Sequence, residues 1–232
     1  MINNIKKFLH RYKYQFLLIA LIVHLYIGIF LANSSVYLEV IWPMNMLFLG
    51  LASAGVYIEK SQFKTRIQNL LWIVAFLLPL SIPIIGATPN YLIIISIFYC
   101  IFFGIIFYEI ISFLIKPSYI NEDIIFASAC GYFLIIEIMV FLLQSVYYYD
   151  PSVLSNMHSD SVVGNFMDIV YFSSISLTTM GYGDITPSSH VTRLIMSLFG
   201  VIGQFYAVVL VGILISKFAS VEERNRREDR EI

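Results

Sequence analysis

Charge is what this chain has least of. Asp, Glu, Lys and Arg make up 12% of its 232 residues, roughly half the share usual in a soluble domain. Hydrophobic residues reach 59% and mean hydropathy is +0.82. So few charges cannot cover a water-exposed surface, which assigns the chain to a bilayer. Cysteine is also scarce. Cys100 and Cys130 both lie in apolar stretches, which excludes a disulfide framework and leaves two buried free thiols. Neither GxSxG nor HExxH occurs, and His158 and His190 lack partners at ligand spacing, so an intramembrane enzyme has neither nucleophile nor metal. The net charge of -1 and the lack of a basic patch with interleaved aromatics give nucleic acid no footing. No internal repeat is present, and no organic cofactor is expected.

What is there is a series of long apolar runs. Residues 14–31, 40–57, 70–85, 91–115, 124–146 and 191–217 each approach the length needed to span a membrane, about 20 residues. Pro79 and Pro83 interrupt the third and predict a kink there. Lys6, Lys7, Arg11 and Lys13 precede the first run; Lys60, Lys64 and Arg66 join the second to the third; Lys116 joins the fourth to the fifth; Arg224, Arg226, Arg227 and Arg230 follow the last. The alternate connections, 32–39, 86–90 and 144–164, contain no Lys or Arg. That asymmetry predicts that both termini face the cytoplasm. The first run exceeds the ~7–15 apolar residues of a signal peptide and reads as an uncleaved span. Asn33-Ser34-Ser35 fits a glycosylation acceptor. Trp42, Tyr91 and Tyr147-Tyr148-Tyr149 stand near span ends, where interfacial anchors sit.

Three ionisable residues fall inside the runs, His24, Glu109 and Glu137. Each is costly in lipid and must face protein or water. Glu109 lies close enough to the inner end to reach the boundary. Glu137 is deeper and is expected to hydrogen-bond the short helix described next. The sequence offers His24 no partner.

The most informative stretch is 165–187, NFMDIVYFSSISLTTMGYGDITP. Asn165 can cap a short helix, with Asp168 in its first turn, where a carboxylate suits the positive helix end. An amphipathic run follows, broken by Thr178-Thr179-Met180-Gly181-Tyr182-Gly183-Asp184. Two glycines around a tyrosine permit dihedrals other residues resist, so successive carbonyls can point the same way. A chain of inward carbonyls is what replaces the water shell of a dehydrated potassium ion.

Thr179, Gly181, Tyr182, Gly183 and Asp184 resemble the TVGYGD selectivity filter of the potassium-channel family, with Met180 in place of Val. The resemblance implies an all-α membrane protein: six transmembrane helices, with a re-entrant pore helix and filter loop between the fifth and sixth. Residues 1–118 would form an N-terminal four-helix domain, 119–218 the pore domain and 219–232 a charged cytoplasmic tail. Backbone carbonyls of Thr179, Met180, Gly181 and Tyr182, with Gly183 completing the loop, would bind K+; the Thr179 hydroxyl would add the innermost ligand. The Met180 thioether would pack behind them. Asp184 would concentrate cations at the outer mouth and brace the filter. Asp168, Tyr171, Phe172 and Thr178 would support the pore helix, Tyr171 and Phe172 standing where many relatives carry two tryptophans. Ile175 stands where some relatives have Glu.

Gly203 would be the hinge of the inner helix, or a point of close packing. The motif occurs once, so a ring needs four chains: a homotetramer in a lipid bilayer. The resemblance to bacterial six-span members implies a multi-pass protein of the cell membrane, in bacteria the inner one. Stretch 91–115 holds no Lys or Arg, so no intrinsic voltage sensor is expected; the gating stimulus and any regulatory partner stay open. Two alternatives accompany this reading. One is a non-selective cation channel, because of Met180. The other is a potassium transporter subunit, which resembles four fused repeats with a single glycine each.

Overall fold

The computed structural model describes residues 12–30, 36–54, 62–115, 122–159 and 161–228; for 54, 62–69, 211 and 213–228 it describes the backbone alone. Lys6, Lys7, Arg11, Lys60, Lys116, Arg230 and the Asn33-Ser34-Ser35 acceptor lie outside the described residues, so most of the orientation argument does too. Among the described residues there are seven α-helices: α1 Lys13–Tyr26, α2 Trp42–Ala54, α3 Gln62–Ile85, α4 Pro89–Leu114, α5 Glu122–Tyr149, α6 Val162–Leu177 and α7 His190–Glu228. A π-turn, Tyr37–Ile41, leads into α2, and Pro43 follows in the first turn, where a missing N–H costs least. Among the described residues, three helical segments are long and apolar enough to cross a membrane: Pro89–Leu114, Glu122–Tyr149 and His190–Leu210.

α3 begins well before residue 70, so Lys64 and Arg66 lie on the helix and not in a connection. Pro79 and Pro83 do not end it. Proline at 79 cannot donate to the Ala75 carbonyl, and the Tyr99 hydroxyl of α4 donates to that carbonyl instead, at 2.7 Å. A neighbouring helix thus restores the bond that the ring removes.

α5 is the hub, packing against α4, α1, α6 and α7. Its Phe141 meets Tyr99 and Phe103 of α4 at centroid distances of 4.9 and 5.6 Å. Trp42 is buried against Tyr99 and Phe166, and Tyr147 is buried too, so neither is an interfacial anchor within this chain; Tyr149 is exposed. Glu109 is buried too, at 8% exposure, and does not reach outward. Cys100 and Cys130 are free, and the Cys130 thiol donates to the Tyr14 carbonyl.

The N-terminal part of α5 meets α7 through Tyr206, whose hydroxyl donates to the Ser128 carbonyl at 2.7 Å. A Cβ on Gly131 would lie 2.1 Å from that hydroxyl, so the glycine is what admits the ring.

Candidate functional site

α6 sits where α5, α1 and α7 converge, and the loop 178–187 leaves its C-terminus toward α7. The helix starts earlier than the Asn165 pattern suggests. Ser161 is the N-cap, its Oγ accepting from Gly164 N at 3.0 Å. Asn165 therefore lies inside the helix, its Oδ1 accepting from the Tyr147 hydroxyl at 3.5 Å. Asp168 is beyond the first turn; its Oδ2 accepts from the His158 backbone N–H at 2.7 Å and ties down the preceding loop.

α6 ends at Leu177 as expected, with Thr178 as C-cap. Thr178 N and Oγ1 both donate to the Ser174 carbonyl, at 3.0 and 2.8 Å. The Leu177 carbonyl accepts from the Tyr132 hydroxyl of α5 at 3.3 Å. Backbone N–H groups of Met180 and Gly181 turn back to the Ile175 carbonyl. The last carbonyls of α6 are thus satisfied by the loop itself and by α5.

Backbone φ is positive at Thr179 (64°), Gly181 (51°) and Gly183 (79°), while Met180 and Tyr182 are not in that region. Positive and negative φ thus alternate along the loop, a pattern that can bring successive carbonyls to one side of the chain. Glycine takes the left-handed state without a Cβ clash; Thr179 does so with one, the kind of strain that clusters at functional sites. The Met180 and Tyr182 side chains are 64% and 71% exposed, the Tyr182 hydroxyl 4.0 Å from Met180 Sδ.

The loop's exit is strapped. Leu154–Ser155 (β1) pairs antiparallel with Thr186–Pro187 (β2), and Asn156 Nδ2 donates to the Asp184 carbonyl at 2.9 Å. Phe172 is buried, whereas Tyr171 turns outward and donates its hydroxyl to Asp184 Oδ2 at 2.5 Å. That hydrogen bond holds the Asp184 carboxyl below its usual range. The contact is present while Asp184 is ionised and is lost as pH falls through its lowered value. In Tyr171→Phe the titration should return toward the ordinary carboxylate range. Followed by NMR, the midpoint of Asp184 should lie at a higher pH in the variant than in the parent protein; identical titration curves would show that the bond does not govern this carboxylate.

α7 runs through Gly203 without interruption. A Cβ there would lie 2.5 Å from Leu177 Cδ1, so close packing against the end of α6 accounts for the glycine. The pairing of His24 with Glu137, 2.7 Å apart, was missed, and Glu137 does not bond α6 as expected. Both residues stand out in sequence as intramembrane charges, but nothing local links positions 113 apart. Among the described residues no group of His, Cys, Asp and Glu is placed to hold a metal ion by side chains.

Residues 135–220 match a family model described as "Ion channel". Potassium voltage-gated channel subfamily KQT member 4 of Homo sapiens is 33% identical over 76 residues, 32% of this chain and 11% of its own. The hyperpolarization-activated voltage-gated potassium channel of Methanocaldococcus jannaschii is 53% identical over 34 residues, covering 15% of this chain and 16% of that one. Two-pore potassium channel 1 of Arabidopsis thaliana is 42% identical over 53 residues, 23% of this chain and 14% of its own. The chain therefore spans only a small part of the length of the curated relatives it matches. No solved structure matches it. The filter-like loop lies inside the matched segment, 135–220, which is similar to an ion-channel family and to proteins named as potassium channels.

Proposed function

We propose that the chain forms a homotetrameric, potassium-selective channel of the cell membrane, with six spans, both termini cytoplasmic and α6 as its re-entrant pore helix. The observation that carries this is the alternation of φ across Thr179–Gly183 directly after a helix end. Carbonyls of Thr179, Met180, Gly181 and Tyr182 would replace the ion's water shell, with the Thr179 hydroxyl innermost and Gly183 completing the loop. Asp184 would gather cations at the mouth. Support from Tyr171, Phe172, Thr178 and Asp168 would keep the loop at the spacing the ion needs. Flexing of α7 at Gly203 would slide its contact with Leu177.

The tetramer is supported by what one chain leaves uncovered. Val191, Leu194, Leu198, Val201, Phe205 and Val208 are exposed along α7 at alternating spacings of three and four, the period of a helix-packing seam. Two relatives are named voltage-gated, yet they align over 32% and 15% of this chain. The absence of basic residues from α4 supports a channel without an intrinsic voltage sensor.

Purified protein in liposomes should carry potassium far faster than sodium, and its native mass in mild detergent should be four times 26.6 kDa. Equal permeability to the two ions would favour the non-selective alternative raised by Met180. A stable dimer would favour neither channel reading.

A further inference from the structure

Conduction through the 179–184 loop gives no role to His24 on α1 or Glu137 on α5, yet both are interior: His24 Nδ1 and Glu137 Oε1 are 2.7 Å apart, with side chains 1% and 0% exposed. Their surroundings are aromatic. Phe103, Phe141 and Phe166 lie 6.0, 6.1 and 5.6 Å from the imidazole, ring centre to ring centre. The outer atoms, His24 Nε2 and Glu137 Oε2, have no hydrogen-bond partner among the described residues. Each group therefore depends on the other.

The same stretch of α1 reaches the back of α6 at further points. The Tyr26 hydroxyl and Ser174 Oγ are 2.9 Å apart. A Cβ on Gly28 would lie 2.5 Å from Met167 Cε, so the chain just after α1 lies directly on α6. Phe166 of α6 takes both the imidazole and the Trp42 ring. Ser174 is also the residue whose carbonyl holds the Thr178 cap, from which the loop departs. A displacement of α1 thus acts on the base of the loop through one residue.

We propose that His24 and Glu137 are positioning residues: a neutral latch that seats α1 on α5 and thereby fixes the back of α6 and the 179–184 loop. This rests on the conduction reading and gives the N-terminal helices a part in it. An acid and a base sharing one proton carry no net charge, wherever the proton sits. Loss of either partner strands the other in apolar surroundings, which is why a broken buried pair is far more disruptive than its absence. A purely apolar contact would hold the helices as firmly but without fixing their register; the directional bond does.

The test uses the full chain reconstituted in lipid, with two readouts: the potassium-to-sodium permeability ratio, and amide exchange over residues 174–181. His24→Gln and Glu137→Gln should each lower the ratio and speed exchange by about tenfold or more, whereas the exchanged pair H24E/E137H should recover to within about threefold of the parent. Tyr26→Phe removes a single hydroxyl and should assemble normally, with exchange about two- to tenfold faster. Unchanged readouts in both single variants overturn the proposal. So does an exchanged pair no better than the singles. If the singles fail to assemble, the exchanged pair and Tyr26→Phe decide it by the same criteria. A parent protein that never conducts potassium defeats the conduction reading instead, and amide exchange still judges the latch.

Discussion

Gly181→Asp is expected to abolish potassium flux while leaving the assembled mass unchanged. The native φ of 51° at this position belongs to the region L side chains rarely adopt. A side chain there costs roughly 1–2 kcal/mol per chain. Four chains in one ring would multiply that to roughly 4–8 kcal/mol, unless the loop abandons the alternation that turns its carbonyls to one side. In the single chain a Cβ at this position meets nothing within 4 Å, so the fold of each subunit tolerates the change. The damage falls on the loop. A fall in flux of about a hundredfold or more follows, since each factor of ten needs only about 1.4 kcal/mol. Parent-like flux from a correctly sized assembly would remove Gly181 from the ion path.

The second large effect is an absence of response. Open probability should stay nearly flat between about -100 and +100 mV, a range worth about 4.6 kcal/mol for each charge carried across the field. α4 contains no Lys or Arg, and Glu109, its one charged residue, is buried near its C-terminal end. The cations of α3, Lys64 and Arg66, sit in its opening turns, far along the helix from Pro79 and Pro83. Little charge is available to move through the bilayer's interior. Steep activation with measurable gating current in the purified protein would overturn this.

Much of the fold can be read from hydropathy because burial in a helical membrane protein is a property of long runs. The expected spans near 91–115 and 124–146 lie within helices Pro89–Leu114 and Glu122–Tyr149 to within a few residues. The loop is legible for a different reason: its conformation needs glycine at alternate positions, so the chemistry is written in consecutive residues. Errors arose where several local solutions were equally good. Asn165 and Ser161 can each cap a helix, and the choice is made elsewhere, by Tyr147 reaching Asn165 and His158 reaching Asp168. The opening turns of α3, QFKTRIQN, are polar enough to read as a connection. The His24–Glu137 bond, and Tyr99 serving the carbonyl that Pro79 leaves, depend on tertiary placement that no window of sequence contains.

The unbroken run of α7 has a mechanical consequence. From Gly203 to Glu228 the helix extends about 38 Å, at 1.5 Å per residue, and no break in it absorbs motion. Gly203 is the point where α7 rests on Leu177, so this contact acts as a fulcrum with a long arm beneath it. A tilt of about 10° about that point, small enough for modest side-chain repacking, would sweep the far end through about 7 Å. A small tilt beside the loop is therefore felt most at the C-terminal end of the helix.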